Sequence, residues 1–364
     1  MVKERIKYYD TLRSLAIISV IMLHIFQLWP DPEIMHFRII CFSEISRFGV
    51  PVFLMLSGAL LLNREIELGD FFKRRFTRLI YPFIFYLIPY AILLYILVNY
   101  CTGFSILRGY LGNIPLIYNW YFWMILGAYL ALPIINKFVQ HASKKEMEYF
   151  ILIFLLSSIF YQLSRGFGIK HFIDLTFILS PVGYMVFGYY LANTDFVKDF
   201  NLNVNTIIYI ALFLFAITTI IKILGYGSVL PIEFTKNNVV ARTEILASYM
   251  DYGIFQIIQA GSVFVLFRYI YQAKEGISSY VRRFLELDIV NKANVSLSRA
   301  SYGVYLLHTT LLRLVKVMVS GLELTGTQIC LMIIFLTIGL TTVTWAIVLL
   351  LNKIPLINKV TGYH

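Results

Sequence analysis

Charge is scarce in this chain. Asp, Glu, Lys and Arg make up 14% of its 364 residues, against about a quarter in a soluble globular domain. With 59% hydrophobic residues and a mean hydropathy of +0.75, that shortage excludes an ordinary soluble fold and points to an integral membrane protein. Cysteine is scarce too. Cys41, Cys101 and Cys330 lie far apart, with no metal or redox spacing, so neither a disulfide framework nor a metal site is expected. No shift in composition marks a linker, and no repeat or low-complexity tract is visible; residues 1–364 read as one membrane domain. No small-residue cleavage site follows the first apolar run, which is therefore expected to be a retained span. The net charge of +11 sits on no soluble module, which argues against a nucleic-acid partner.

What the chain does have is long apolar runs. A span needs about 20 such residues, and about ten candidates occur, at 11–29, 41–63, 76–99, 118–137, 149–163, 171–192, 205–224, 245–268, 299–320 and 328–351. Lipid offers no partner to open backbone groups, and these runs are too long for barrel strands. The expected fold is an all-α polytopic membrane protein, a single bundle of about ten transmembrane helices in the lipid bilayer. With ten spans, roughly two-thirds of the 31 Lys and Arg fall on one side, so both termini and the segments 63–78 and 269–298 are expected in the cytoplasm, and 225–244 outside.

Ionisable residues at membrane depth are costly and are functional candidates by default. The first span, within "YYDTLRSLAIISVIMLHIFQLW" (Tyr8 to Trp29), keeps Asp10, Arg13 and His24. Eleven positions separate Arg13 from His24, which is about 16 Å of helix and about 20° of rotation, so both line one face. Asp10, three positions before Arg13, is expected to pair with it. The competing reading makes Asp10 and Arg13 interfacial and His24 a structural core histidine.

Other stretches carry further candidates. In "RFGVPVFLMLSGALLL" (Arg47 to Leu62) Ser57-Gly58 is a small patch that lets a helix approach closely; Pro51 is expected to bend the span, and Arg47 is a weaker candidate. "KRRFTRLIYPFIFY" (Lys73 to Tyr86) sets Lys73, Arg74, Arg75 and Arg78 just before the third span. They serve either as positive-inside residues drawn to anionic lipid or as phosphate ligands, since Arg grips phosphate with a fork that Lys lacks. Arg75 and Arg78 share a helical face. "NWYFWMILGAYLALPIINKF" (Asn119 to Phe138) opens on an aromatic belt. "SRASYGVYLLHTTLLRL" (Ser298 to Leu314) places Tyr305 and His308 three apart.

Taken in order, these segments resemble the membrane-bound acyltransferase-3 family. The shared features are Arg-X10-His (Arg13, His24) with Asp10 upstream, then "VPVFLMLSG", "FFKRRFTRLIYPF", "WYFWMILGAYLALP" and "SYGVYLLH", running from Arg5 to about Leu351. Each motif alone is weak; the ordered set is specific. Lacking an appended soluble domain, the chain resembles the stand-alone branch that includes O-acetyltransferases of bacterial surface glycans.

The resemblance implies an acyl donor, acetyl-CoA or another acyl-CoA, drawn from the cytoplasm as substrate, with no cofactor permanently bound. It implies delivery to a sugar hydroxyl of an O-antigen, capsule or exopolysaccharide precursor across a bacterial cytoplasmic (inner) membrane. His24 would act as general base or as a nucleophile carrying the acyl group. Arg13, held by Asp10, would bind donor phosphate or stabilise developing negative charge. Arg74, Arg75 and Arg78 would hold acyl-CoA, while Ser57, Tyr305 and His308 would position the reactants. The competing classes are a transporter or flippase for a glycan or small solute, which would more often show inverted repeats and broken helices, and a scaffold. A homo-oligomer is compatible with either class.

Overall fold

The structure, a computed structural model, describes residues 5–26, 28, 37–101, 120–166, 181–229, 253–319 and 322–364. Apart from turns it is helical, and no strand occurs among the described residues. The helices are α1 (Lys7–Phe26), α2 (Phe37–Ser46), α3 (Gly49–Leu61), α4 (Leu68–Cys101), α5 (Trp120–His141), α6 (Lys144–Gly166), α7 (Pro181–Asn193), α8 (Phe196–Phe200), α9 (Val204–Val229), α10 (Ile254–Ile270), α11 (Gly276–Glu286), α12 (Asp288–Val319) and α13 (Gly326–Asn352), before a 3₁₀ turn at Ile357–Lys359.

Among the described residues, seven helices are long and apolar enough to cross a membrane: Lys7–Phe26, Phe42–Leu61, Leu68–Leu93, Trp120–His141, Val204–Leu224, Asp288–Val319 and Gly326–Asn352. The chain is an all-α multi-pass membrane protein. The run expected at 149–163 lies in α6. Those expected at 171–192 and 245–268 begin outside the described residues and continue in α7 and the 17-residue α10. Trp29 and most of the loop expected at 225–244 also lie outside them.

Local chemistry sets several helix ends. α6 opens on a Ser143/Glu146 capping box: Glu146 Oε2 accepts from the Ser143 backbone N–H at 2.7 Å, and Ser143 Oγ accepts from the Glu146 N–H at 3.3 Å. The bond from Ser143 holds the Glu146 carboxyl below the usual carboxylate range. Thr325 and Gln328 repeat the device at α13. At the C-terminal end of α7, Arg268 donates to the carbonyls of Leu191 and Thr194, satisfying acceptors that the helix leaves open.

The second expected span is divided. α2 stops at Ser46 and α3 starts at Gly49, with a turn at Arg47–Phe48. The cause is Pro51, which has no N–H to give the Arg47 carbonyl four residues earlier and whose ring crowds it. The expected bend is thus a break.

The chain forms two compact units, each assembled from separated stretches. The first comprises Met1–Arg64 and Ile134–Val295, the second Glu65–Pro133 and Ser296–His364. The chain changes unit three times, between Arg64 and Glu65 ahead of α4, inside α5 and inside α12, and two of the three boundaries therefore fall within a helix, where no linker composition could mark them.

In the first unit, helices meet backbone to backbone. A Cβ on Gly58 would lie 1.8 Å from the Met185 carbonyl oxygen, and one on Gly188 would lie 2.2 Å from that of Met55. Two Met-X-X-Gly stretches, one on α3 and one on α7, therefore interlock reciprocally. Gly49 sits in the same way against Ala16, Ser19 and Val20 of α1.

In the second unit, aromatic side chains bridge the helices. Phe83 and Phe122 stack at 3.8 Å. Tyr302 donates to the Leu79 carbonyl at 2.8 Å, and Arg313 donates to the Tyr90 hydroxyl at 3.3 Å. Both bonds join residues 223 apart, so α4 and α12 run parallel with a fixed register. Tyr86 reaches the Thr361 carbonyl, which occupies the notch left by Gly303.

Gly58→Ala and Gly188→Ala should each force α3 and α7 apart, at a cost of about 1–3 kcal/mol from overpacking. Thermal unfolding in detergent should show a lowered midpoint for both. Gly127→Ala and Gly339→Ala, where nothing lies within 4 Å of the added atom, should leave it unchanged or raise it, since Ala favours helix over Gly.

Candidate active site

α1 is built for a membrane interior. Lys7–Phe26 holds no Gly or Pro, and Leu12, Ile17, Ile21 and Ile25 are fully buried. An unbroken helix carries Asp10, Arg13 and His24, so the predicted 16 Å spacing along one face holds. Asp10 is buried; Arg13 and His24 are half-buried. The His24 Nδ1–H donates to the Val20 carbonyl at 2.9 Å. The neutral ring therefore keeps its proton on Nδ1 and a lone pair on Nε2.

Asp10 was expected to pair with Arg13. Its carboxylate also accepts a two-bond fork from Arg5, whose Nε and Nη2 donate to it at 2.5 and 2.7 Å. Arg5 lies just before the helix, outside its regular turns, and its side chain reaches back to the first turn. Helical spacing cannot anticipate such a contact. The same end of α1 is tied down further. Lys7 pairs with Glu286 at 3.1 Å, Thr11 Oγ1 bonds the Tyr271 hydroxyl at 2.7 Å, and Ser14 donates to the Asn294 carbonyl at 2.9 Å. Burial pushes the Tyr271 phenol up, so it stays a neutral hydroxyl.

Ser57 lies in the first unit with these residues. It donates to the Phe53 carbonyl at 2.9 Å, so its proton is committed within α3 and its lone pairs are what it can offer. Gly58, beside it, provides the close approach expected of the pair.

The remaining candidates belong to the second unit. At 34 residues α4 is about 51 Å long, well beyond a hydrocarbon core of about 30 Å. Tyr81, Ile84, Ile88 and Ile92 make an exposed apolar stripe along it, and Arg74, Arg75 and Arg78 precede that stripe. Arg74 pairs with Asp70 at 2.8 Å in an exposed i,i+4 bridge. Arg75 is half-buried and Arg78 exposed. On α12, Tyr305 and His308 are buried. His308 Nδ1 bonds the Tyr305 carbonyl at 2.5 Å, and the Tyr121 ring meets the Tyr305 ring edge-on at 5.1 Å.

A family model described as an acyltransferase domain, Acyl_transf_3, matches residues 6–351, nearly the whole chain. The chain belongs to the acyltransferase-3 family. It is an acyltransferase, an enzyme that moves groups other than aminoacyl groups. No curated protein and no solved structure matches it.

In this acyltransferase the first unit also holds a buried ionic network that the sequence reading did not assemble. The side chains of Glu44, Lys222 and Arg47 are 1%, 8% and 12% exposed. Glu44 pairs with Arg47 at 2.6 Å and with Lys222 at 3.1 Å. Lys222 also donates to Gln256 and Gln259, each at 2.8 Å. The two amides then donate onward, Gln256 to the Arg47 carbonyl and Gln259 to the Glu44 carbonyl, both at 2.9 Å. Gln256 thus satisfies the acceptor that Pro51 leaves open. The signal was present in the sequence: Glu44 and Lys222 are ionisable residues inside apolar runs, the same criterion that singled out Arg13 and His24.

Glu44→Ala removes the carboxylate that two buried cations share. It should cost about 3–5 kcal/mol, as breaking a buried pair does. Arg74→Ala, which opens an exposed bridge, should leave stability unchanged. Chemical unfolding of purified protein, followed by circular dichroism, compares the two.

Proposed function

We propose that this enzyme is an O-acyltransferase, and an O-acetyltransferase in the first instance. It takes its acyl group from cytoplasmic acyl-CoA and passes it to a sugar hydroxyl of a bacterial surface glycan, an O-antigen, capsule or exopolysaccharide precursor. It lies in the cytoplasmic membrane with both termini inside, which the Lys and Arg bias supports. The observation that carries the reading is the His24 ring, its Nδ1–H engaged by Val20 so that the basic lone pair is the one on Nε2, on the same helical face as Arg13.

Nε2 takes the proton of the sugar hydroxyl as that oxygen attacks the thioester carbonyl. The tetrahedral intermediate collapses, the C–S bond breaks, and the imidazolium returns its proton to the departing thiolate. The Arg13 guanidinium offsets negative charge on the carbonyl oxygen or on donor phosphate. If His24 instead attacks the thioester first, the same lone pair forms an acyl-imidazole that the sugar then cleaves. Arg75 and Arg78 bind the coenzyme A phosphates, supported by their place on the overhanging first turns of α4. Arg74 takes part only after leaving Asp70.

His24→Ala should abolish glycan acylation, read by mass spectrometry at matched protein levels. His24→Gln should not rescue it, because an amide cannot take the hydroxyl proton. Base catalysis is typically worth about 10²–10⁴-fold, so more than about a tenth of wild-type activity in His24→Ala would overturn the assignment. Separately, Arg75→Ala and Arg78→Ala should raise the KM for acetyl-CoA, with Lys rescuing only in part because the fork is lost. The assay is release of free coenzyme A thiol by purified protein. An unchanged KM in both Ala variants returns these cations to lipid anchoring.

A further inference from the structure

α11 is turned inside out for a helix in water. At 100° per residue, Ile277, Tyr280, Val281, Phe284 and Leu287 fall within an arc of about 120°. That arc is exposed, with Ile277 at 74%, Tyr280 at 68% and Phe284 at 58%. The small polar residues Ser278 and Ser279 face the protein and are buried. A surface helix in water shows the reverse arrangement. Exposed single hydrophobics are ordinary; a contiguous apolar face on a short helix with serines inside is not.

The docking of the helix sets its level. Leu285, beside the arc, packs on Ile207, Ile208, Tyr269, Ile270 and Ala273. Those residues belong to the first turn of α9, the last turn of α10 and the residues just after it. α11 therefore lies where one apolar helix begins and another ends, the level of a membrane–water boundary. Cations border the arc: Arg283 lies over the Tyr280 ring at 5.6 Å, and Lys274 is exposed just before the helix.

We propose that α11 is an interfacial helix whose Ile277–Tyr280–Phe284 face is seated among lipid acyl chains at the headgroup boundary, with Arg283 and Lys274 at the phosphates. An apolar face, a cationic margin and a position at the helix ends are together the marks of a helix lying in the bilayer surface. The seat has a mechanical consequence. Glu286 on this helix pairs with Lys7, so the lipid-held helix is fastened to the start of α1, which carries Arg13 and His24.

The test is spin-label accessibility in vesicles of phosphatidylethanolamine and phosphatidylglycerol. Cys41, Cys101 and Cys330 are replaced, and single cysteines are placed at Ile277, Tyr280 and Phe284, with Lys274 and Glu275 as references. Lipid seating predicts collision with oxygen several-fold above that with a water-soluble nickel chelate at the three apolar positions, and the reverse at Lys274 and Glu275. Nickel access at Ile277 and Phe284 equal to that at Lys274 puts the face in water and overturns the proposal. Exclusion of both reagents there puts it under protein, a second copy or another chain, and overturns it equally.

Discussion

A backbone carbonyl has no partner in hydrocarbon unless the protein supplies one, and the break at Arg47–Phe48 is where this chain meets that constraint most sharply. Pro51 withdraws the N–H that would have bonded Arg47. Gln256 supplies a replacement from α10, and Gln259 does the same for Glu44. Lys222 then satisfies both amide oxygens and lies against the Glu44 carboxylate. One missing hydrogen bond has drawn three helices together around a shared set of charges. Every polar group that helps is one that a lipid-facing helix could not carry cheaply.

The two units answer the need for contact by different means. In the first, glycines remove side chains and bring backbones together, as at Gly58 and Gly188, so cohesion comes from dispersion over a tight surface. In the second, tyrosines and phenylalanines hold the helices at ring distance, through Tyr302, Tyr90 and Phe83. Hydrophobic driving force is weak between helices already in lipid. The second unit therefore depends on directional bonds to set register, and the equal spacing of its two α4–α12 contacts is the result.

Much of the architecture was legible in the sequence because hydropathy is a local property. Long apolar runs announced the helices, and the spacing of Arg13 and His24 placed them on one face without any knowledge of neighbours. Gly58 announced a close approach, although nothing local could name Met185 as its partner. Elsewhere the deciding partner lay off the helix or far along the chain. Arg5 reaches Asp10 from the residues ahead of the helix, which helical periodicity does not cover. Glu44 and Lys222 are far apart along the chain, and only the fold puts them 3.1 Å apart. The orientation of the His24 ring was equally hidden, since it depends on which nitrogen meets the Val20 carbonyl.

The network around Pro51 also bears on how the protein is made. Gln256 follows Arg47 by 209 residues, and Gln259 follows Glu44 by 215. At about 5–20 residues per second, the ribosome needs roughly 10–40 s to produce the partners after α2 and α3 have emerged. Until then Glu44 and Arg47, near the start of the Phe42–Leu61 segment, do not have the amide donors that meet their carbonyls in the folded chain. The packing around this break can therefore close only after α10 has been made.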